Sequence, residues 1–405
     1  MAESGRGRET FDISDNDGLY HRPPSSSPSR LTRFTGPLIN YVRNEWKSSA
    51  KYTQLPSSSD RSDPRQWVQM ITSVVTVPRF RRYAIVCLSF AIFCVLGWHY
   101  ILSPRLEERS AILNSLDPMQ EDVVGGWFGA NALPQLEKVV QLRELNKTLL
   151  PAAIVPEDDM PSERRLIFIG DVHGCKSELE NLLDKLSFNA THDHLVFTGD
   201  LINKGPDSLG VVDLAREYNA SCVRGNHEDR ILTLRNDMLE SNITDDSFND
   251  KSRELALQLS TGQAEWLNAC PVILNVGQIT EMGQVVVVHG GLVPGVDLDR
   301  QDPYSVMNMR TVDLETHVPS SARDKGVKWT KLFNKHQSLA LQSKNSIMTV
   351  IYGHDSKSGL SLKEYTKGLD SGCVKGGKLT ALVVSDGGHQ EIVQVKCSKH
   401  QKDKN

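Results

Sequence analysis

No two of the seven cysteines stand at the close, regular spacing of a zinc finger or a dithiol redox pair. That excludes a small cysteine-held metal domain and a thioredoxin-like oxidoreductase. Net charge is nearly absent too: a formal −4 over 405 residues selects no charged macromolecule, and no nucleic-acid partner is expected. Residues 1–65 lack clustered apolar side chains. They are rich in Ser, Pro, Arg and Asp, and Ser-Ser-Ser occurs twice. Such a stretch cannot bury a core and is expected to be a disordered tail. Within it, Tyr52-Thr53-Gln54-Leu55 has the form of a tyrosine-type sorting signal, a candidate contact for sorting machinery.

Charge is missing from Tyr83 to Leu102, apart from any on His99. At a rise of about 1.5 Å per residue, this run matches the hydrocarbon thickness of a bilayer. A single transmembrane helix over 83–102 is therefore expected, with Trp98 and Tyr100 in an interfacial belt. It starts too deep for a cleaved signal peptide, and no small-residue cleavage site follows it. Arg79, Arg81 and Arg82 precede it, whereas Arg105 and Arg109 behind it are mixed with Glu107 and Glu108. The basic flank stays cytosolic, which predicts a type II anchor with the rest of the chain luminal or extracellular. No Asn-X-Ser/Thr acceptor precedes the segment, while Asn146, Asn189, Asn219 and Asn242 follow it. Cys175, Cys222, Cys270, Cys373 and Cys397 would face an oxidising lumen. Their number is odd, so at least one is free or pairs between chains.

Residues 103–161 are expected to be a luminal stalk. Within it Leu136, Val139, Val140 and Leu142 give Pro134 to Leu145 helical spacing. Three motifs then occur in order: Gly-Asp-Val-His-Gly at 170–174, Gly-Asp-Leu-Ile-Asn-Lys-Gly-Pro at 199–206 and Gly-Asn-His-Glu at 225–228. Each follows an apolar run that reads as a buried strand: 166–169, 195–198 and, more weakly, 221–224. Helical spacing between them predicts helices over 176–186 and 208–218, and 229–239 continues another. His289 follows the run Val285 to Val288, and His354 follows Val350-Ile351-Tyr352-Gly353. Polar residues at the carboxyl ends of strands are where open α/β sheets place their sites. Asp171 and His173 can face one ion, Asp200 can bridge two, and Asn226 adds an amide oxygen. Mixed His, Asp and Asn ligation suits Zn, Mn, Fe or Co better than a Ca or Mg cage.

In this order and spacing, these motifs resemble the calcineurin-like metallophosphoesterases of the phosphoprotein-phosphatase superfamily, over about 162–396. Two details are similar to the diadenosine-tetraphosphatase-like branch: the proline closing 199–206, and the run Gly-Leu-Asp-Ser-Gly-Cys-Val-Lys-Gly-Gly-Lys-Leu-Thr at 368–380. With the anchor, the whole resembles the fungal zinc-dependent vacuolar endopolyphosphatases. The resemblance implies an α/β fold, a β-sandwich flanked by helices. It implies two divalent ions, zinc favoured, with cobalt, manganese or magnesium as alternatives. Asp171, His173 and Asp200 would hold the first; Asp200, Asn226, His289 and His354 the second. The nucleophile would be a metal-activated hydroxide. His227 would serve the leaving oxygen, and Arg224, Arg310 and Lys204 would grip phosphate, with Arg230 and Lys357 as further candidates. The family's phosphoprotein phosphatases have an Asp and an Arg where this chain has Asn203 and Lys204. That departure favours an anhydride leaving group over an ester, and the resemblance to the endopolyphosphatases implies inorganic polyphosphate cleaved internally in a vacuolar lumen. A phosphoprotein phosphatase or a dinucleoside-polyphosphate hydrolase is the alternative, and a scaffold on an inactive fold the non-enzymatic one. Asp302 to Arg310 is expected to be a loop, 379–384 and 392–395 closing strands, and 397–405 a charged tail.

Overall fold

The computed structural model describes residues 67–68, 71–72, 75–116, 139–152, 164–240, 250–342 and 346–400. The tail, with Tyr52 to Leu55, lies outside the described residues. The chain divides into two units, residues 1–92 and 93–405. Helix α1 (Pro78–Gly97) has no buried residue. It runs through a wider π-type turn, Trp98–Leu102, into α2 (Ser103–Ser115). The 38 residues Pro78–Ser115, with a mean hydropathy of 2.2 over their most apolar window, form a helix long and apolar enough to cross a membrane. The stalk therefore begins as helix rather than as an irregular spacer. Pro104 stands in the first turn of α2, directly behind that wider turn, where Ser103 N–H still bonds back to Trp98 O. Ile112 of α2 is buried in a core of the second unit.

The second unit contains two main sheets. Strands β1 (Leu142–Glu144), β2 (Arg165–Ile169), β3 (Asp193–Phe197) and β4 (Ser221–Cys222) come first in the chain. Helices α3 (Lys176–Lys185) and α4 (Ser208–Glu217) connect β2 to β3 and β3 to β4. Then follow α5 (Asn226–Glu240), α6 (Asp250–Gln258) and α7 (Thr261–Ala269). Next come β5 (Ile273–Ile279), β6 (Gly283–Val288) and α8 (Pro303–Asn308). A small ribbon of β7 (Thr311–Val312), β8 (Pro319–Ser320) and β9 (Val327–Lys328) leads to α9 (Trp329–Gln342). Strands β10 (Met348–Tyr352), β11 (Ser361–Leu362), β12 (Thr366–Gly368), β13 (Lys378–Val384) and β14 (Gln390–Lys396) complete the described chain.

One sheet has the order β14-β13-β2-β3-β4 and the other β1-β5-β6-β10-β12-β11. Alternation along β2 explains how they stack, since successive side chains of a strand point to opposite faces. Leu166 and Phe168 meet Val285, Val287 and Ile351 of the other sheet. Ile167 and Ile169 face outward onto Leu179 and Leu182 of α3 and Val211 of α4. On the far side, Val286, Val288 and Tyr352 pack on Trp329, Leu332 and Phe333 of α9. The product is a sandwich of two sheets with helices outside, the expected α/β class.

Three local expectations are corrected. Leu142–Glu144 is not helical: it pairs parallel with Ile273–Asn275 as an edge strand, because the edge of β5 supplies hydrogen-bonding groups that outweigh helical spacing. Residues 134–138 lie outside the described part. The 302–310 segment is not a loop: Asp302 caps α8 through Ser305 N–H at 2.9 Å, and Pro303 occupies its first turn. Residues 397–400 are not a free tail, since Cys397 is bonded to Cys373 and the His400 ring lies 2.9 Å from Glu178. Cys222 joins Cys270, leaving Cys175 buried and free.

Candidate metal centre

Parallel pairing aligns the carboxyl ends of β2, β3 and β4 in one sheet and of β6, β10 and β12 in the other. Asp171 and His173 follow β2, and Asp200 follows β3. Asn226 and His227 open α5 behind β4; His289 follows β6 and His354 follows β10. Their backbones are held in costly shapes. His173, Asp200 and His354 have φ of 50°, 52° and 67°, and Asn203 and Lys204 have 72° and 73°. For non-glycine residues this left-handed region costs about 1 kcal/mol each, and such strain concentrates at functional sites. Gly353 is required next to His354, because a Cβ there would lie 2.1 Å from Asp171 Oδ1.

Hydrogen bonds fix which ring nitrogens are free. His173 Nδ1 is 3.2 Å from Ile202 O, His289 Nδ1 is 2.8 Å from Thr198 O, and His354 Nε2 is 3.0 Å from Asn308 O. A carbonyl only accepts, so each ring donates there and keeps the other nitrogen as a lone pair. This is the arrangement that metal-binding histidines show. His289 Nε2 then meets Asn226 Oδ1 at 3.1 Å and Asp200 Oδ1 at 3.3 Å. His173 Nε2 lies 3.4 Å from Asp200 Oδ2 and 2.9 Å from the Lys204 ammonium. Lone pairs converging around a shared carboxylate, one of them already on a cation, fit a pair of metal ions. Two donor groups meet at Asp200, one through His173 beside His227 and one through His289 and His354.

Electrostatics agree. Burial opposes ionisation of Asp200, but His289, His227 and His173 hold its carboxyl well below the usual range. Burial, with Asp370 and Asp200 alongside, pushes Asp171 well up. The cavity at this cluster has a volume of about 110 Å³. Its lining includes Asp171, His173, Asp200, Asn226, His227 and His354, with Lys204 and Arg310 beside them. His289 is wholly buried behind them.

Three phosphate candidates of the sequence reading lie away from this cavity. Arg224 does not line this cavity. It is turned into the protein, with Nη2 3.0 Å from Asp229 Oδ1 and Nη1 3.2 Å from Asn268 Oδ1; the α5 carboxylate five residues on captures it. Arg230 and Lys357 do not line the cavity either.

Residues 164–358 match the family described as calcineurin-like phosphoesterase. The chain belongs to the calcineurin-like phosphoesterases. This phosphoesterase is 29% identical over 272 residues to a zinc-dependent endopolyphosphatase of Saccharomyces cerevisiae, covering 58% of this chain and 82% of that one. It is 25% identical over 273 residues to a symmetrical bis(5'-nucleosyl)-tetraphosphatase of Nitrosospira multiformis, covering 56% and 94%. A crystal structure assigned as a diadenosine tetraphosphatase superposes with a TM-score of 0.50 at 30% identity, over 64% of this chain and 99% of the other. The chain is thus a hydrolase of a family that uses dimetal centres.

Three residues of the phosphoesterase's site were passed over in the sequence. Glu228 closes the third motif and accepts from the N–H groups of Asp200 (2.8 Å), Ile202 (3.1 Å) and Gly225 (2.9 Å), tying the second motif to the third. Asp370 and Lys375 line the cavity from the loop behind β12. Both stand in the run at 368–380 that carried the resemblance, but nothing in their spacing marks them as site residues.

Proposed function

We propose that this phosphoesterase hydrolyses phosphoanhydride bonds inside inorganic polyphosphate chains, as an endopolyphosphatase with two divalent ions, zinc favoured. The reading is carried by one contact: Asn203 Nδ2 lies 2.9 Å from His227 Nδ1. Asn203 Oδ1 already accepts Lys204 N–H at 2.8 Å, which fixes the amide so that its NH₂ faces the ring. His227 Nδ1 is then an acceptor, and the ring is neutral with its proton on Nε2. Burial agrees, pushing the His227 imidazolium down to about 4. Such a ring donates a hydrogen bond but is a poor source of a full proton. An anhydride oxygen leaves without one; an alkoxide does not.

When bound, divalent ions would lower the pKa of a water and polarise a phosphoryl oxygen. Asp171, His173, Asp200, Asn226, His289 and His354 would hold them. The chain's own groups do the rest. Arg310 lines the cavity, its buried Nε has no hydrogen-bond partner among the described residues, and its guanidinium would serve a phosphoryl oxygen. Lys204 lines both the catalytic cavity and an adjacent hollow of about 820 Å³, into which a long chain can extend. No Phe, Tyr or Trp is among the described residues lining either one, which favours a chain of phosphates over a stacked nucleobase. A dinucleoside-polyphosphate hydrolase is the second reading, favoured by the tetraphosphatase relatives.

We further propose that α1 anchors the protein with its catalytic domain in the vacuolar lumen. Arg79, Arg81 and Arg82 at its N-terminal end, two disulfides behind it and exposed acceptors Asn146, Asn189 and Asn219 support that topology. The enzymatic proposal is tested by incubating the zinc-loaded protein with long-chain polyphosphate and resolving chain length on a gel beside free phosphate. Intermediate lengths appearing before much phosphate support it. Phosphate released while the long band persists means cleavage from chain ends. No cleavage alongside turnover of diadenosine tetraphosphate moves the assignment to the second reading.

A further inference from the structure

We propose that Lys375 binds a phosphate flanking the bond to be cleaved, and so selects phosphate chains over single phosphoryl groups. The inference rests on the anhydride reading above. Lys375 is exposed at the rim of the catalytic cavity it helps line. Its ammonium donates to Ser356 Oγ at 2.7 Å. Ser356 stands two residues beyond His354 and lines the same cavity. The lysine therefore spans from the β12 loop to the β10 loop, across the mouth rather than out into solvent.

Its base is rigid. Within the loop, Lys375 N–H donates to Gly372 O (3.0 Å), Gly376 N–H to Cys373 O (2.8 Å) and Gly377 N–H to Gly372 O (3.0 Å). The Cys373–Cys397 disulfide and a bridge between Lys375 and Lys399 fasten the loop to the C-terminal segment. His400 N–H adds a bond to Val374 O at 3.1 Å. The loop backbone from Gly372 to Gly377 is thus fixed under one exposed lysine, so little is lost in ordering it when a ligand binds.

Charge gives the ligand class. No carboxylate among the described residues forms an ion pair with Lys375 at 4.0 Å or less. The cavity lining carries three carboxylates, Asp171, Asp200 and Asp370, against Lys204, Arg310 and Lys375. These balance, so two bound divalent ions with one hydroxide between them would leave three positive charges for substrate. A single phosphoryl group cannot supply that many, whereas a chain adds roughly one negative charge with each further residue. A cavity of about 110 Å³ holds little beyond the reacting phosphoryl group. A chain cleaved internally leaves the cavity on two sides, one toward the hollow beside Lys204 and the other across the rim where Lys375 stands.

The test uses the full-length metal-loaded protein with a chromogenic monoester as reporter. Tripolyphosphate and orthophosphate are measured as competitors of wild type, Lys375→Ala and Lys375→Arg. In Lys375→Ala the preference for tripolyphosphate, the ratio of the two inhibition constants, is expected to fall about tenfold, as for loss of one charge-assisted contact. Lys375→Arg should recover most of it. A ratio that moves less than twofold in Lys375→Ala, or an Arg variant as impaired as the Ala one, overturns the proposal. Cleavage is read separately on a gel: tripolyphosphate that competes through Lys375 but survives intact sinks the anhydride reading and the place beside a scissile bond with it, and leaves only the preference for phosphate chains at Lys375.

Discussion

Changing Asn203 to Asp replaces one amide NH₂ by oxygen and alters almost nothing else in volume. The main-chain N–H of Lys204, now 2.8 Å from Asn203 Oδ1, keeps its acceptor. The change falls on the other side, where Nδ2 faces His227 Nδ1 at 2.9 Å. A carboxylate there demands a proton on Nδ1, and Asp200 Oδ2, 3.9 Å from His227 Nε2, already favours positive charge on the ring. The variant histidine can then protonate at both nitrogens and act as an acid. General acid catalysis is worth about 10²–10⁴-fold where the leaving group needs it. Because burial still holds the ring down, the lower end, about 10²-fold, is the expected gain for an alkyl phosphate monoester. Cleavage of tripolyphosphate should change by less than about tenfold, since its leaving group needs little help. The assay is kcat/KM for both substrates at fixed metal. His227→Ala should show the complementary pattern in the Asn203→Asp background, with the monoester losing more than the anhydride. If both substrates move together in Asn203→Asp, the contact does not set leaving-group preference, and the anhydride argument fails.

Further outcomes follow from the same geometry. Gly353→Ala drives a methyl group to 2.1 Å from Asp171 Oδ1; the protein should fold but bind less metal by elemental analysis, and full occupancy would contradict the packing. Cys397→Ser opens a bridge spanning 24 residues and should cost about 3 kcal/mol in urea unfolding, whereas an unchanged midpoint would mean that the loop is held by its hydrogen bonds alone. Glu178→Gln weakens a buried carboxylate that accepts from Ser398 N–H at 3.1 Å and from His400 at 2.9 Å, so a loss of about 1–3 kcal/mol is expected by the same measurement. N-glycosidase treatment of the protein from its native cell should raise gel mobility, because Asn146, Asn189 and Asn219 are exposed; no shift would argue against a luminal domain.

Much of the sandwich was legible because its strands are short apolar runs ending in polar motifs. Leu166 to Ile169 alternates between two cores, so every residue is apolar and the run reads as a buried strand. β1 was not legible. Leu142-Arg143-Glu144 carries no strand signal of its own, and only the edge of β5 makes it one. The same edge means that a fragment begun at 162 would lose a strand, so a catalytic fragment should start before residue 139. In the site, residues carrying a chemical signature were found together: Asp171, His173, Asp200, Asn226, His227, His289 and His354 meet as their motifs implied. Arg224 failed because a motif neighbour is not a spatial neighbour of the cavity. Its side-chain direction is set by Asp229 and Asn268, and Asn268 lies 44 residues away. Lys375 and Asp370 were hidden for the opposite reason, as their place depends on a loop fastened by a disulfide whose pairing the sequence left open.

The most direct test is the metal content of the purified full-length protein, wild type beside Asp200→Asn, with folding checked by circular dichroism. Asp200 faces both donor groups, lying 3.4 Å from His173 Nε2 and 3.3 Å from His289 Nε2. The account predicts two divalent ions per wild-type chain and a loss approaching both in the folded Asp200→Asn variant. One ion or none in wild type, or a variant that keeps two, would contradict a centre built around this carboxylate.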